Sequence, residues 1–443
     1  MIDFPETLLD NVLRFGRIAL EYWWAWLTPI LASLAYNEWL GYQKEKYLSG
    51  MKWTVLEVIP PPEILYSSPK AAEHFFSGLH ASYGGGIKWK DQVFGGKIPD
   101  WFSFEIVSNG GDIHFYIRCT EGQRNLIESL LFAQYPQAEI RVVEDHVALL
   151  PEKFDPAQYD LSANEYVFTQ PAPYPIKLWQ EFEEAGGKDE YQRLDPLAPL
   201  LEIMSALRPG EHLALQYILR PTGGAWVKDG KAEVDKLIGK EAKPPEPSLA
   251  TRIVSFPFML LEQILIEMGL YTKPEEKKKE EKAFSPQNLT PVQKRVLEAV
   301  EEKLTKLAFK SSIRLFYAAR KDAFNGARGA SVNAMFKQLY YNNLNTFKPY
   351  NGAKDKGKWP WLFPNEKGFG ADAATLKKKE GAWGAYRKRA FSPPSKDPKD
   401  YPLVLSTDEL ATLWHLPGLN VRAPLVPRVQ AKKGQPPAIL PTR

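Results

Sequence analysis

A chain of 443 residues is long enough for two to four domains, and an apolar fraction of 44% is sufficient to build a buried core. The single cysteine, Cys119, excludes an intrachain disulfide framework and a zinc site made of cysteines. The net charge is only +4, but residues 347–399 hold 13 Lys and Arg against 5 Asp and Glu, so positive charge is concentrated late in the chain.

Residues 1–50 are interpreted as a membrane-associated helical segment. Residues 22–36 carry no charge, and a run of about 20 apolar residues is enough to cross a bilayer. Tryptophans flank the run as in the aromatic belts of membrane interfaces. A spanning helix, an interfacial or packed helix, and a signal peptide are the three alternatives. The flanking residues taken as membrane contacts are Trp23, Trp24, Trp26 and Trp39.

Residues 51–150 follow the order strand, helix, strand, strand, helix, strand. The strands are predicted at 53–59, 101–108, 113–119 and 138–144, and Asn109-Gly110-Gly111 is a hairpin turn signal. This order is the split βαβ or ferredoxin-like plan. Because that plan hosts many unrelated activities, it indicates no function by itself.

Residues 160–350 repeat the same order with a helical and charged insertion at 222–310. The strands of this second unit are predicted at 164–179, 212–221, 311–320 and 345–350. Within the insertion, 250–270 reads as an apolar helix of the core or of a membrane, and 273–282 as a solvated charged loop. The predicted fold class is therefore α+β, with two tandem ferredoxin-like units, an N-terminal hydrophobic helix and an extended C-terminal tail.

The sequence has no recognisable catalytic constellation. Residues 352–358, GAKDKGK, match the start of a phosphate-binding loop, but Trp359 stands where the loop needs a hydroxyl for magnesium. No metal-ligand spacing is present among the six histidines. We therefore expect no catalytic residues, no metal and no cofactor. An enzyme of unrecognised type is the alternative, because ferredoxin-like folds do include enzymes.

Residues 351–402 are predicted to be a basic loop region rich in aromatic residues. Cations that contact phosphates and aromatic rings that stack on bases are typical of sequence-tolerant nucleic-acid binders. Anionic lipid headgroups would attract the same charges, and a solvated loop with no ligand is the third alternative. The candidate polyanion-binding residues are Lys354, Lys356, Lys358, Lys377, Lys378, Lys379, Trp383, Arg387, Lys388 and Arg389.

Residues 403–443 are predicted to form a connector helix and an extended tail. Ser406 and Glu409 make a capping box at the start of the helix. Leu410, Leu413 and Trp414 then fall on one helical face and must be buried, either on the second unit or on a partner. We assign these three residues to partner docking.

Several stretches resemble a known family. They are WTVLEVIPPPEILYSSPKAAEHFFSGLH, FSFEIVSNGGDIHFYIRC, RNLIESLLFAQYPQAEI, LSTDELATLWHLPG and PPAILP. Together they resemble the N-terminal region of membrane-anchored type IV secretion or conjugation-type ATPases from small-genome uncultured bacteria. The similarity covers most of residues 17–145 and 403–441 and is thin between them.

This resemblance implies that the ELATLWHLPG-like element joins the ferredoxin-like region to a RecA-like hexameric motor. The chain has no Walker A, Walker B or arginine finger, so no catalytic residue carries over. The expected function is that of a non-catalytic membrane-side scaffold of a secretion or DNA-translocation ATPase. Its expected location is the bacterial inner membrane, with the main body in the cytoplasm.

The partners expected on this basis are membrane lipid, the RecA-like hexameric ATPase, DNA and further copies of the chain. The alternative function is a membrane protein that binds nucleic acid or anionic lipid without a motor.

Overall fold

The computed structural model describes residues 21–61, 68–186, 194–238, 289–340, 343–350, 371–391 and 402–418. Within these ranges the protein is a mixed α+β fold built on one antiparallel sheet. The predicted apolar helix 250–270, the charged run 273–282 and the tail after Gly418 lie outside the described residues.

The described chain contains nine strands and eleven α-helices. The strands are β1 (Trp53–Ile59), β2 (Phe102–Asn109), β3 (Asp112–Thr120), β4 (Glu139–Val143), β5 (Tyr159–Phe168), β6 (Glu211–Thr222), β7 (Ala308–Arg320), β8 (Phe347–Tyr350) and β9 (Leu403–Ser406). The helices are α1 (Trp23–Ser49), α2 (Ser68–Leu79), α3 (Trp89–Val93), α4 (Arg124–Gln134), α5 (Trp179–Gly186), α6 (Ala198–Ser205), α7 (Ala225–Leu237), α8 (Pro291–Thr305), α9 (Ala327–Met335), α10 (Ala371–Lys388) and α11 (Thr407–Leu413).

The strands form a single sheet in the order β4-β1-β3-β2-β6-β7-β5-β8, and β9 pairs with the start of β7. The tight β2–β3 hairpin turns at Gly110 and Gly111, both with positive φ, a conformation that glycine adopts at little cost. The two segments that the sequence separates near residue 150 meet where β2 pairs with β6. The sheet therefore runs unbroken from β4 to β8.

The two faces of the sheet differ in chemistry because side chains alternate along each strand. On β2, Phe102, Phe104 and Ile106 point to an apolar face, which packs against α2, α4, α6, α9 and α11. Ser103 and Glu105 alternate with them on what we call the polar face. The polar face is covered by α10 and by the chain around the 3-10 turn His146–Leu149.

The structure corrects the prediction that residues 351–402 are a loop. Within this range, residues 371–388 form the helix α10. The strand β9 begins at Leu403, the first residue after the range. The helix was missed because its lysines and aromatic residues follow no simple apolar stripe. Two short helices, α3 and α5, were also not predicted.

Candidate functional site

The first surface of interest is formed by α1 and α3, and we call it the aromatic surface. Tyr22, Trp23 and Trp24 follow one another at the start of α1 and are about half exposed. Successive residues of a helix lie about 100° apart, so apolar side chains face solvent around most of its circumference. The other strongly exposed apolar residues of α1 are Ile30, Leu31, Leu34, Tyr36, Trp39 and Tyr42.

The helix α3 adds two exposed rings that the sequence did not indicate. Trp89 and Phe94 are 62% and 64% exposed and pack edge to face, with centroids 6.2 Å apart. The two helices are joined because Trp39 Nε1 of α1 donates to the carbonyl of Val93, 3.1 Å away. Exposed lysines lie close to the rings in the chain, at Lys46 in the last turn of α1, Lys88 just before α3 and Lys90 within it.

Three of the tryptophans taken as membrane contacts, Trp23, Trp24 and Trp39, therefore lie on the aromatic surface. The side chain of Trp26 lies outside the described residues. In the part of the chain that the structure describes, no helix combines the length and the apolar character needed to cross a bilayer.

The candidate polyanion-binding residues of α10 do not share one surface, which corrects that prediction. Trp383 is buried, and its Nε1 donates to the carbonyl of Pro151 at 3.0 Å. Arg387 reaches the carbonyl of Leu150 at 2.8 Å. Lys379 forms an ion pair with Asp160. Most of the cations and rings on the inward side of α10 therefore hold the helix on the sheet.

The remaining predicted cations differ in position. Lys377, Lys378 and Lys388 lie on the exposed side of α10. Lys354, Lys356 and Lys358 lie outside the described residues. A polyanion surface on α10 would thus have to be built from its outward lysines, without Trp383 or Arg389.

Arg389 is the centre of a buried ion cluster beneath the end of α10. Its Nε lies 2.9 Å from Glu105 Oε1, and its Nη1 lies 2.6 Å from Asp145 Oδ2. Burial alone would raise the pKa of Glu105, but Arg389 and His146 outweigh that effect and hold it well below its usual range. Arg389 itself has a φ of +48°, a left-handed conformation that is unfavourable for a residue with a side chain. The ion pairs therefore hold a strained residue in place.

A chain of buried polar rings continues from this cluster. His146 Nε2 lies 3.0 Å from Glu105 Oε2, and the His146 ring stacks on Tyr116 with centroids 4.6 Å apart. The hydroxyl of Tyr386, on α10, bonds to His212 Nε2 at 2.8 Å. Burial, assisted by the charge of His146, lowers the pKa of His212 to about 3. A neutral His212 therefore links the middle of the sheet to α10.

The protein should lose stability as the pH falls below 6.5, through His212. Its pKa is 6.5 in an unfolded chain and about 3 when folded, so the unfolded state takes up the proton first. The contribution is complete above pH 6.5 and is lost progressively toward pH 3. We expect a loss of roughly 2 kcal/mol between pH 6.5 and 4.5, measured by urea unfolding. Glu105 contributes to the pH dependence at lower pH. Its pKa is depressed in the folded protein, so stability is lost through Glu105 only as the pH falls below about 4.5, where the unfolded chain takes up the proton.

A His212→Gln variant, which keeps a donor and an acceptor, should show a flatter dependence in the same window. The exposed His74 provides the matched control, and His74→Gln should leave the slope unchanged. Parallel curves for the parent and His212→Gln would contradict the assignment.

The predicted docking residues Leu410, Leu413 and Trp414 are buried in the protein's own core, which corrects their assignment to a partner. The capping box is present, since the Glu409 carboxylate accepts from the backbone N–H of Ser406 at 2.8 Å. The Trp414 ring lies 5.0 Å from that of Phe104 on β2 and 6.1 Å from that of Phe76 on α2. The short helix α11 is therefore an integral part of the first half of the fold, by which we mean β1 to β4 and the helices between them. The second half is β5 to β8 with its helices.

The polar side of α11 binds the second half. Glu409 forms a fully buried ion pair with Lys303 of α8 at 2.9 Å. Thr412 Oγ1 accepts from the backbone N–H of Trp179 at 2.9 Å, and His415 lies 3.1 Å from Asp195. Apolar contacts to one half and polar contacts to the other make α11 a wedge between them.

No set of three His, Cys, Asp or Glu residues in the described ranges is arranged to hold a metal ion. Cys119 is buried, and burial raises the pKa of its thiol to about 12, so it is a poor nucleophile. The titratable groups under α10 are enclosed and paired, and their geometry suits anchoring of the helix. The aromatic surface is the one of these regions that faces outward.

A search of curated proteins finds no match. A family model described as a domain of unknown function, DUF8128, matches residues 41–354. This range runs from the second half of α1 to just beyond β8 and covers more than half of the chain. The chain therefore belongs to the DUF8128 family.

Proposed function

We propose that this protein is a non-catalytic scaffold that is held at a membrane surface by its aromatic surface. The observation that carries the proposal is the exposure of aromatic side chains around α1, together with Trp89 of α3 and Phe94, which directly follows α3. Contiguous apolar surface of this kind marks a site of protein or membrane interaction. Tryptophan and tyrosine prefer the headgroup region of a bilayer, where the ring is apolar and the polar edge stays hydrated.

The lysines that border the rings favour a bilayer over a protein partner. Lys46, Lys88 and Lys90 can lay their aliphatic stems along the apolar surface while their amines remain in water. Basic residues at this position are also attracted to anionic lipids. The cores of protein interfaces, by contrast, are depleted in lysine.

The scaffold serves a type IV secretion or DNA-translocation ATPase in this proposal. The support is the resemblance of residues 17–145 and 403–441 to the membrane-side region of such ATPases. Because Leu410, Leu413 and Trp414 are internal, the motor would contact another surface or follow in the chain after α11. Recovery of a Walker-containing RecA-like ATPase with the full chain, identified by its peptides, tests this part.

We further infer that the two halves are ferredoxin-like units. In the first half the strand order is β4-β1-β3-β2, and the second half repeats it in mirror order as β6-β7-β5-β8. Each half thus places its first and third strands at the centre, with helices following the first and third strands on one face. Two such units joined through β2 and β6 make a rigid platform suited to a scaffold.

Replacing three residues of the aromatic surface should detach the protein from vesicles. The variant carries Trp23→Ser, Trp24→Ser and Trp89→Ser. Each ring contributes on the order of 1.5 kcal/mol or more on burial, so affinity should fall at least about a hundredfold. Flotation of the full chain with liposomes measures the effect.

The matched control replaces three apolar residues that are equally exposed elsewhere, Phe132, Leu149 and Tyr340, with serine. This control should still float with the vesicles. Equal flotation of both variants would overturn the proposal. Loss of a stable oligomer in vesicle-free buffer, without any vesicle binding by the parent, would instead assign the aromatic surface to contacts between copies.

A further inference from the structure

We propose that two copies of this protein pair edge to edge through β4 and so join their sheets into one. The strand β4 stands at one end of the strand order and pairs with β1 on its inner side. The partner on its outer side is a second copy of β4 in antiparallel orientation. This pairing goes beyond the proposed membrane attachment, because the aromatic surface is formed by other elements and each copy carries its own.

The outer edge of β4 is open to another strand. Among the residues that the structure describes, β4 pairs with β1 and with no other strand. Its five residues, Glu139–Val143, follow β1 in one continuous register and include no proline or glycine. An edge of this kind presents a row of unpaired backbone N–H and C=O groups, which is a template for a further strand.

The opposite end of the sheet is built differently. The strand β8 has four residues, Phe347–Tyr350, and one of them is Pro349. Proline has no N–H to donate, and natural proteins use prolines and very short strands to protect sheet edges from pairing. The two ends of the sheet are therefore not equivalent, and β4 is the end that suits the addition of a strand.

The charges of β4 are complementary to themselves when two copies run antiparallel. Glu139 and Arg141 lie two positions apart, on the same face of the strand. Their side chains are 42% and 55% exposed and form an ion pair of 2.7 Å within the strand. When Ile140 stands opposite Ile140 of the second copy, each Glu139 stands opposite an Arg141. The four groups then alternate in sign, so each carboxylate keeps its own arginine and gains a second one across the strands.

The same charges select this register over the neighbouring symmetric one. A pairing that places Arg141 opposite itself sets two guanidinium groups against each other and leaves Glu139 opposite Val143. Like charges in direct opposition destabilise a sheet. The pairing centred on Ile140 is therefore favoured, and its two-fold symmetry makes each favourable pair occur twice.

Apolar side chains beside β4 are also left uncovered. Val142 lies on the apolar face of the strand and is 52% exposed, and Phe132 of α4 is 45% exposed. Leu130 of α4 packs against Gly78 of α2, and Phe132 lies about 200° further around the helix. Because α2 packs on β2, at the far side of this half of the sheet, Phe132 faces the β4 side. A second copy at this edge would cover part of this apolar surface.

Charge reversal on β4 tests the pairing. The full chain and its variants are compared by sedimentation equilibrium in buffer without vesicles. The parent should form a dimer, and Glu139→Arg should weaken it at least about tenfold, because two attractive pairs become two repulsive ones. Glu139 stands opposite Ile59 on β1, so the change removes no charge pair with β1. Arg141→Glu should also weaken the dimer, and it additionally places a carboxylate opposite Glu57.

Mixing the two variants gives the sharpest result. Glu139→Arg and Arg141→Glu are complementary to each other, so an equimolar mixture should form a mixed dimer at concentrations where neither variant dimerises alone. A double variant that carries both changes should dimerise again. Glu202→Arg makes the same change of charge at an exposed position on α6, and as the matched control it should dimerise like the parent.

Cross-linking tests the register without relying on charge. Ile140 lies opposite itself, so Ile140→Cys should form a disulfide between copies on mild oxidation. Two copies of Val142 are separated in this register by four residue positions, about 13 Å, which is too far for a disulfide. Val142→Cys should therefore cross-link less, although Val142 is the more exposed residue. Cys119 is buried, so its contribution to the background should be small.

The outcomes separate this pairing from the membrane proposal, which flotation with vesicles measures independently. A parent that stays monomeric, or a dimer that Glu139→Arg leaves unchanged, would overturn the pairing. Equal cross-linking of Ile140→Cys and Val142→Cys would contradict the register. A dimer that is lost in the variant with Trp23→Ser, Trp24→Ser and Trp89→Ser but kept in Glu139→Arg would assign association to the aromatic surface instead of β4. A mixed dimer of the two charge variants, together with the Ile140→Cys cross-link, supports the proposal as stated.

Discussion

Replacing Arg389 with methionine should cost about 3–5 kcal/mol of folding free energy, the range seen when one partner of a buried ion pair is removed. The substitution leaves Glu105, which is fully buried, without the guanidinium that offsets its burial. It also releases Asp145 and the end of α10. Urea unfolding at pH 7 measures the loss, and proteolysis within residues 371–391 should accelerate as α10 loosens.

The neighbouring Lys388, which is exposed, provides the control, and Lys388→Met should change stability by less than about 0.5 kcal/mol. Adding Glu105→Gln to Arg389→Met should recover part of the loss, because the uncompensated charge is then removed. Similar stabilities of the parent and Arg389→Met would show that the cluster does not hold α10.

Truncation of Trp414 to alanine should destabilise the protein by about 3–5 kcal/mol, as for other large core aromatic residues. The ring contacts Phe75, Phe76, Phe104 and Phe115, so its loss leaves a cavity between α2 and the sheet. Trp414→Phe should cost clearly less, because the indole Nε1 has no hydrogen-bond partner among the residues that the structure describes. Thermal and urea unfolding of the full chain measure both variants.

Trp89 is the matched control, since it is a tryptophan that the fold leaves exposed. Trp89→Ala should affect vesicle binding and leave stability almost unchanged. A Trp414→Ala protein of normal stability would show that α11 is not part of the core and would restore the partner-docking interpretation.

The position of α11 changes what the C-terminal resemblance means for function. In the resembled ATPases the corresponding element is a connector to the motor. Here Glu409 and Thr412 contact the second half, while Trp414 packs in the first. In the proposed scaffold, α11 would therefore be a fixed part of the fold, held by both halves.

Local signals in the sequence were sufficient for much of the fold. The alternation of FSFEIV in β2 separates the apolar face from the polar face, and most of the predicted strands are present within a few residues. The strand predicted at 164–179 is an exception, because β5 covers Tyr159–Phe168 and a helix begins at Trp179. The β2–β3 turn was predicted from Asn109-Gly110-Gly111, and the start of α11 from its capping box. These features are determined by residues within about four positions of each other, so the sequence reveals them directly.

Only the tertiary structure decided which side chains are available to a partner. Arg389 and Trp383 read as polyanion contacts because Glu105 and Pro151, which they bind, are 284 and 232 positions away in the chain. The apolar stripe of α11 showed that Leu410 and Trp414 must be buried, but the surface that buries them is formed by α2 and β2. Conversely, Trp89 became part of a surface because the fold leaves it uncovered. Burial and charge pairing depend on contacts between distant segments, whereas periodicity and capping act within one segment, and that difference separates what the sequence predicted from what the fold determined.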